Sequence, residues 1–238
     1  MQSFTAANTD FFNNEIFSEK KTEKNTYGLV DLTYDISKNK TFQYSVKWNG
    51  SRQKIKSDME FNTESIGQKL INDRLFFDQK ILFTNSLENN KVFFISGGLT
   101  IEKLPQKYAT DKFLYEELFG EKAENVQQTL KNRATISEIK GQFIHRRNNG
   151  SLFEMELGNT IITDQLVSTF TLHSADLRIS EPLGYQNQFS YKTNDIYLNG
   201  KYQFVFKKFN LIAITEFHQF LNTLEDFGKT KSQQPFFI

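Results

Sequence analysis

The sequence predicts an all-β protein, built as an antiparallel meander of about eight long strands in four consecutive hairpins. Three observations lead to this fold class. Apolar and polar residues alternate with a period of two over long stretches, as in strands with one apolar and one polar face. Short polar turns interrupt the alternation near residues 38, 88, 148 and 208. Aromatic residues are abundant, with 25 Phe and 9 Tyr, although only 38% of the chain is hydrophobic.

The composition excludes several classes of protein. Lys and Arg number 29 against 28 Asp and Glu, and the resulting net charge of +1 favours no nucleic-acid partner. Cysteine is absent, which excludes disulfide scaffolds, thiolate metal sites and cysteine nucleophiles. No run of about 18 apolar residues could cross a membrane as a helix. Membrane-spanning strands stay possible, because they need an apolar residue only at every second position.

The first hairpin is the best defined by its residues. Its turn lies at 37–39, between two alternating segments. Pairing Tyr34 with Phe42 brings apolar residues together on one face and polar residues together on the other. The same register places Gly28 opposite Trp48, whose ring would cover the bare backbone. One register therefore satisfies both faces.

The other three hairpins are predicted by the same pairing of apolar residues across a turn. The third turn contains Asn149-Gly150, a strong signal for a tight turn. On its polar face this hairpin brings Lys140 opposite Glu156, a favourable charge pair. The predicted apolar pairs are Phe83 with Phe93 in the second hairpin, Phe143 with Phe153 in the third, and Phe206 with Leu211 in the fourth.

The chain divides at about residue 26. Residues 1–25 are predicted to be a loop or a strand remnant, and 26–238 form the β segment. Short turns are expected near 37–40, 86–90, 146–150 and 207–210. Long, polar loops are expected near 49–74, 103–132 and 164–192.

Two kinds of protein contain such a sheet. In a soluble β-sandwich the apolar face packs on a second sheet. In a transmembrane β-barrel it meets lipid, and the polar face lines a wet lumen. The alternation of short turns and long loops favours part of a transmembrane barrel, because outer-membrane barrels have short periplasmic turns and long external loops. The alternative is a soluble β-sandwich that binds a ligand or a carbohydrate.

The barrel hypothesis assigns roles to two sets of side chains. Rings beside each short turn would form an aromatic girdle at the membrane interface, and charged residues of the opposite face would line the lumen. The predicted lipid-facing residues are Tyr34, Phe42, Tyr44, Trp48, Phe83, Phe93, Phe143, Phe153, Phe204 and Phe206. The predicted lumen-facing residues are Asp31, Lys47, Lys140, Glu156, Lys201 and Glu216.

At the level of whole segments the chain resembles a known family. The segments NTYGLVDLTYDISKNKTFQYSVKWNG and SLFEMELGNTIITDQL, set in repeated hairpins, resemble the barrel of a TonB-dependent outer-membrane receptor. The closing QQPFFI is similar to the start of a further barrel strand in such receptors. The resemblance extends over roughly residues 26–238 and includes no motif diagnostic of the family, neither a plug domain nor a TonB box.

The resemblance implies an interior part of a barrel of about 22 strands in the outer membrane of a Gram-negative-type envelope. The whole receptor would import a siderophore, a cobalamin or a glycan. Its partners would be outer-membrane lipid, TonB acting through the absent plug, and an extracellular small-molecule or glycan ligand. We expect the chain to be a fragment of a longer protein, since neither end resembles a natural terminus.

No catalytic, cofactor-binding or metal-binding residues are predicted. His145, His173 and His218 lie far apart in the sequence, and each is expected to be a solvated side chain. Glu154 and Glu156 share one strand face, where Lys140 and Gln142 are expected to neutralise them. The sequence therefore predicts a protein that is not an enzyme.

Overall fold

The computed structural model describes residues 2–6, 9–13, 15–61, 64–112, 123–174 and 178–237. Almost all of this backbone is β-strand. The strands in chain order are β1 (Gln2–Ala6), β2 (Thr9–Asn13), β3 (Glu15–Ser37), β4 (Lys40–Phe61), β5 (Glu64–Leu87), β6 (Lys91–Lys103), β7 (Gln106–Thr110), β8 (Asn125–Arg146), β9 (Leu152–His173), β10 (Ile179–Ser180), β11 (Asn187–Phe206), β12 (Phe209–Asp226), β13 (Lys229–Gln233) and β14 (Phe236–Phe237). A short 3-10 helix at Leu183–Tyr185 precedes β11.

All strands except β1 and β2 belong to one 12-stranded sheet. Its order is β13-β12-β11-β9-β8-β6-β5-β4-β3, and every pairing is antiparallel. β6 and β7 follow one another at the same position of the sheet, because both pair with β5 and β8. The long strands are therefore the eight-stranded meander that the sequence predicts. β1 and β2 form a separate two-stranded sheet.

The first hairpin has the predicted register. Tyr34 pairs with Phe42, and Gly28 pairs with Trp48. The indole ring of Trp48 lies directly on Gly28, in the space that a Cβ atom would occupy. Glycine in this strand therefore allows a large ring to pack flat on the neighbouring backbone.

The registers predicted for the other three hairpins are wrong by two residues. Phe83 pairs with Ile95 rather than Phe93, Phe143 with Met155 rather than Phe153, and Phe206 with Phe209 rather than Leu211. Lys140 accordingly lies opposite Gly158 rather than Glu156. A shift of two residues leaves every side chain on its predicted face, because side chains alternate with a period of two.

Turn geometry explains these shifts. Asn89 and Asn90 have φ angles of 60° and 56°, Lys207 has a φ of 45°, and Gly150 has a φ of 86°. These left-handed residues fix where each strand reverses and hence which residues face each other. Alternation alone does not distinguish two registers that differ by two residues.

The long loops expected at 49–74, 103–132 and 164–192 are largely strands. β4 continues to Phe61, β5 begins at Glu64, and β9 continues to His173. Of the second expected loop, 113–122 lie outside the described residues. These strand halves are rich in charged and polar side chains, so the apolar alternation by which a strand is found in a sequence is weak there. Their backbone hydrogen bonds to neighbouring strands continue the sheet regardless.

A fifth hairpin was not predicted. β12 and β13 are joined at Phe227-Gly228, with φ angles of 44° and 75°. Pro235 then ends the pairing of β13, and β14 pairs again with β12 at His218 and Gln219. The closing apolar residues thus add a short strand to this edge of the sheet.

Buried apolar side chains are few. Among the described residues only Ile66, Ala123, Val126 and Leu172 are buried hydrophobics. The last three form one small cluster, against which Phe170 packs, near the end of the sheet farthest from the short turns. Burial also raises the pKa of Tyr108 in this half of the sheet. The sheet is therefore held together by its ladders more than by a core.

No helix in the described part of the chain is long and apolar enough to span a membrane.

The positive φ angle of Gly150 allows a direct test of the third turn. Gly150→Ala is expected to lower the free energy of unfolding by about 1–2 kcal/mol, since a Cβ atom is unfavourable in this conformation. The new methyl group would lie 3.8 Å from Val205, an ordinary contact, so the cost comes from the backbone alone. Urea titration in detergent micelles measures this change in the free energy of unfolding. Gly50→Ala, in a strand of the same sheet, is the control and should change stability far less; equal effects would contradict the explanation.

Candidate functional site

The strand registers give the sheet two chemically different faces. We call them the aromatic face, which carries Tyr34 and Phe42, and the charged face, which carries Asp31 and Lys47. All ten residues predicted to face lipid lie on the aromatic face. All six residues predicted to line the lumen lie on the charged face. That the first face meets lipid and the second a lumen stays a prediction.

An uncharged band crosses the aromatic face next to the short turns. Within it, no strand has an Asp, Glu, Lys or Arg on this face. The band covers nine residues on each of five strands and extends farther on β9, β11 and β12. Its nine-residue segments are 26–34, 42–50, 75–83, 93–101 and 135–143. About 9–11 residues of a tilted strand are needed to cross the hydrocarbon core of a bilayer.

Large apolar side chains of this band are exposed. Ile139 is 62% exposed, Leu157 57% and Phe204 51%. These residues lie on three neighbouring strands, β8, β9 and β11, so exposed apolar side chains occur in the middle of the sheet and not only at one edge. Water-soluble monomers rarely expose so large an apolar patch, and such patches mark surfaces that meet a partner or a membrane.

Aromatic rings concentrate at the edge of the band beside the short turns. The ring centroids of Phe143 and Phe153 are 6.3 Å apart, and Tyr202 lies 6.3 Å from Phe153 and 4.1 Å from Phe204. The guanidinium of Arg147, in the third turn, lies 5.8 Å from the Tyr202 ring centroid. Rings of this kind suit a boundary between apolar and polar surroundings.

Oppositely charged and polar groups pair with each other on the charged face. Lys140 Nζ lies 3.5 Å from Glu156 Oε2, although the two residues are diagonal neighbours rather than directly opposite. Gln142 donates a hydrogen bond of 2.6 Å to Glu154. Nearby, the hydroxyl of Thr100 donates a 2.6 Å hydrogen bond to Asp78. Each of these three carboxylates thus has a partner on the same face of the sheet.

His218 has a more elaborate environment than the solvated one expected. Its Nδ1 atom lies 3.0 Å from Asp195 Oδ1. The imidazole stacks between Tyr197 and Phe220, with centroid separations of 5.6 and 5.7 Å. Tyr197 in turn lies flat over Gly158 of the next strand. This group of side chains could not be predicted from the sequence. Asp195 and Tyr197 on β11 meet His218 and Phe220 on β12 only through the register of the two strands.

A cavity of about 490 Å³ opens on the aromatic face beyond the uncharged band. Lys56, Lys69, Asp111 and His173 are among its lining residues. Asp111 accepts a hydrogen bond of 2.6 Å from the Gly67 backbone, which ties the end of β7 to β5. His173, expected to be solvated, thus lines this cavity. Among the described residues no group of three His, Asp or Glu is placed to hold a metal ion.

The comparisons with known proteins give a weak likeness at the level of structure. No protein-family model and no curated protein matches the chain. The ferripyoverdine receptor of the outer membrane of Pseudomonas aeruginosa, bound to ferripyoverdine, has a TM-score of 0.41 and 8% identity, covering 93% of this chain and 39% of the receptor. FpvAI in complex with pyocin S2 gives the same TM-score and identity, with coverages of 94% and 38%. The chain therefore spans about two fifths of the length of these receptors.

Proposed function

We propose that this chain is a wall segment of an outer-membrane β-barrel that acts as a receptor or transporter. The observation that carries the proposal is the exposed, uncharged band of the aromatic face. Its height of nine residues on five neighbouring strands matches the thickness of a bilayer core. The charged face then lines the watery interior of the barrel, where charged side chains keep their hydration.

The fold counts against the alternative of a soluble β-sandwich. A sandwich buries the apolar faces of its sheets against each other. Here Ile139 and Leu157 stand exposed at the middle of the sheet, and the described residues include only four buried hydrophobics. Such a sheet would aggregate in water unless something covered its apolar face.

The parent protein would take up a siderophore, a cobalamin or a glycan across the outer membrane, with TonB supplying energy through a plug domain. The strands support this role in one respect: they continue about ten residues beyond the band, which would raise the sheet well above the membrane surface. Growth of the source organism on each nutrient, with and without TonB, tests this part.

Trp48 offers a test of the membrane assignment. It is the only tryptophan of the chain, lies in the uncharged band and is 38% exposed. In lipid vesicles its fluorescence is expected to be quenched strongly by phosphatidylcholine with brominated acyl chains and weakly by aqueous iodide. The reason is that the aromatic face contacts acyl chains, which iodide does not enter.

A relocated tryptophan provides the control. In the double variant Trp48→Phe/Gln43→Trp, the indole moves to the charged face, five residues along the same strand. Its fluorescence should respond to iodide and little to the brominated lipid. If iodide quenches Trp48 in the folded chain and the brominated lipid does not, the proposed membrane location is wrong.

A further inference from the structure

A belt of basic residues follows the uncharged band on the aromatic face, on the side away from the short turns. It contains eleven Lys and Arg side chains, all of them exposed, and we call it the basic belt. Its members are Lys20, Lys24, Arg52, Lys54, Lys56, Lys69, Lys103, Lys107, Lys131, Arg133 and Lys192. The described residues of the same region include only five acidic side chains on this face, namely Asp58, Glu60, Asp73, Asp111 and Glu225.

The basic belt begins where the uncharged band ends. Moving away from the turns along the aromatic face, the first charged residue is basic on five strands. These residues are Lys24 on β3, Arg52 on β4, Lys103 on β6, Arg133 on β8 and Lys192 on β11. On the charged face of the same strand halves, basic residues such as Lys21 and Arg74 are paired with Glu23 and Glu102. In these strand halves the excess of positive charge therefore belongs to one face.

Several members of the basic belt face each other directly across the sheet. Lys20 lies opposite Lys56, which lies opposite Lys69 on its other side. Lys103 likewise lies opposite Arg133. Like charges in directly opposed positions repel and destabilise a sheet unless an anion lies between them.

The chain itself supplies little of the required negative charge. Arg52 has an ion pair with Asp73, at 3.3 Å between Nε and Oδ1. Within the described residues, the other ten side chains of the basic belt have no carboxylate within 4 Å. The exposed ammonium groups are thus open to an anionic partner.

We propose that the basic belt binds the phosphate groups of anionic lipid headgroups. This rests on the proposed membrane location: if acyl chains cover the uncharged band, headgroups lie at its edge, which is the height of Lys24, Arg52 and Lys103. Both residue types bind phosphate: the ammonium group of Lys is a compact positive charge, and the planar guanidinium of Arg can donate two parallel hydrogen bonds. The members of the basic belt that lie next to the band then anchor the sheet to the lipid surface.

Trp48 reports on the lipid next to this belt, since it lies four residues before Arg52 on the same strand and face. The experiment compares its quenching by brominated phosphatidylglycerol and by brominated phosphatidylcholine in mixed vesicles. We expect about a fivefold local preference for the anionic lipid, from the attraction of basic residues at an anionic surface. The triple variant Lys24→Gln/Arg52→Gln/Lys54→Gln should lose most of this preference.

The matched control is Lys21→Gln/Lys47→Gln/Lys80→Gln, which removes the same charge from nearby positions on the charged face. It should keep the preference. Equal quenching of the unmodified chain by the two lipids, or equal loss in both triple variants, would overturn the headgroup proposal. Absence of any quenching by phosphatidylcholine would instead overturn the membrane location itself, so the two failures are distinguishable.

Inorganic phosphate separates the lipid from a free anion. Replacing chloride by phosphate at constant ionic strength should leave the preference for phosphatidylglycerol within about twofold, because the lipid phosphate is held at the height of the belt. If phosphate abolishes the preference and chloride does not, the belt is a site for a soluble anion and the headgroup proposal is wrong.

Discussion

Leu198→Arg is expected to destabilise the folded chain in phosphatidylcholine vesicles by about 2–4 kcal/mol, or roughly 30- to 1000-fold in the folding equilibrium. Leu198 lies within the uncharged band on β11, between Leu157 and Phe217, and is 40% exposed. If this surface meets acyl chains, the guanidinium must enter the hydrocarbon core or drag water into it. Guanidinium titration followed by Trp48 fluorescence measures the loss.

The control for this prediction is Ser190→Arg on the same face of the same strand. Ser190 lies eight residues farther from the short turn, opposite Glu225, which can pair with the new guanidinium. Its substitution should cost no more than about 1 kcal/mol, as at the membrane interface. Because both variants add the same residue to one strand, a similar cost at the two positions would show that depth in a bilayer plays no part. The membrane assignment of the aromatic face would then be wrong.

The faces of all four hairpins were predictable from the sequence, whereas three of the four registers and the strand lengths were not. The face on which Tyr34 and Phe42 lie can be predicted because apolar residues alternate around them. A register shift of two residues leaves that assignment unchanged. The exact partner of Phe83 or Phe143 depends on φ angles in the turns, which alternation does not encode. The second half of β4, including Arg52 and Lys54, consists mostly of polar residues and therefore resembles a loop in sequence.

The candidate site shows the same division. The period of two was sufficient to place the ten predicted aromatic residues together on one face and the six predicted charged residues together on the other. The basic belt needed the registers, because Lys103 and Arg133 are thirty residues apart and become neighbours only through the β6–β8 ladder. The stacking of His218 on Tyr197 likewise depends on pairing between strands. Single side chains whose role comes from a neighbour on another strand leave no local signal in the sequence.

Gly158→Val should lower the free energy of unfolding by about 1–3 kcal/mol. The Tyr197 ring occupies the space of the Gly158 Cβ, and it also stacks on His218 with centroids 5.6 Å apart. A branched side chain at 158 forces the ring away and removes that stacking, which contributes about 0.5–1.5 kcal/mol on its own. Urea titration in detergent micelles measures the change.

Gly200→Val on the adjacent strand isolates this effect from the general consequences of placing valine in a strand. A Cβ atom at Gly200 meets nothing within 4 Å, so the substitution should be neutral or stabilise by up to about 1 kcal/mol through reduced freedom of the unfolded chain. Adding Tyr197→Ala to Gly158→Val should recover part of the loss, because the ring that conflicts with the valine is gone. An additive double variant, or equal costs at the two glycines, would show that the Tyr197 ring does not set the requirement for glycine at 158.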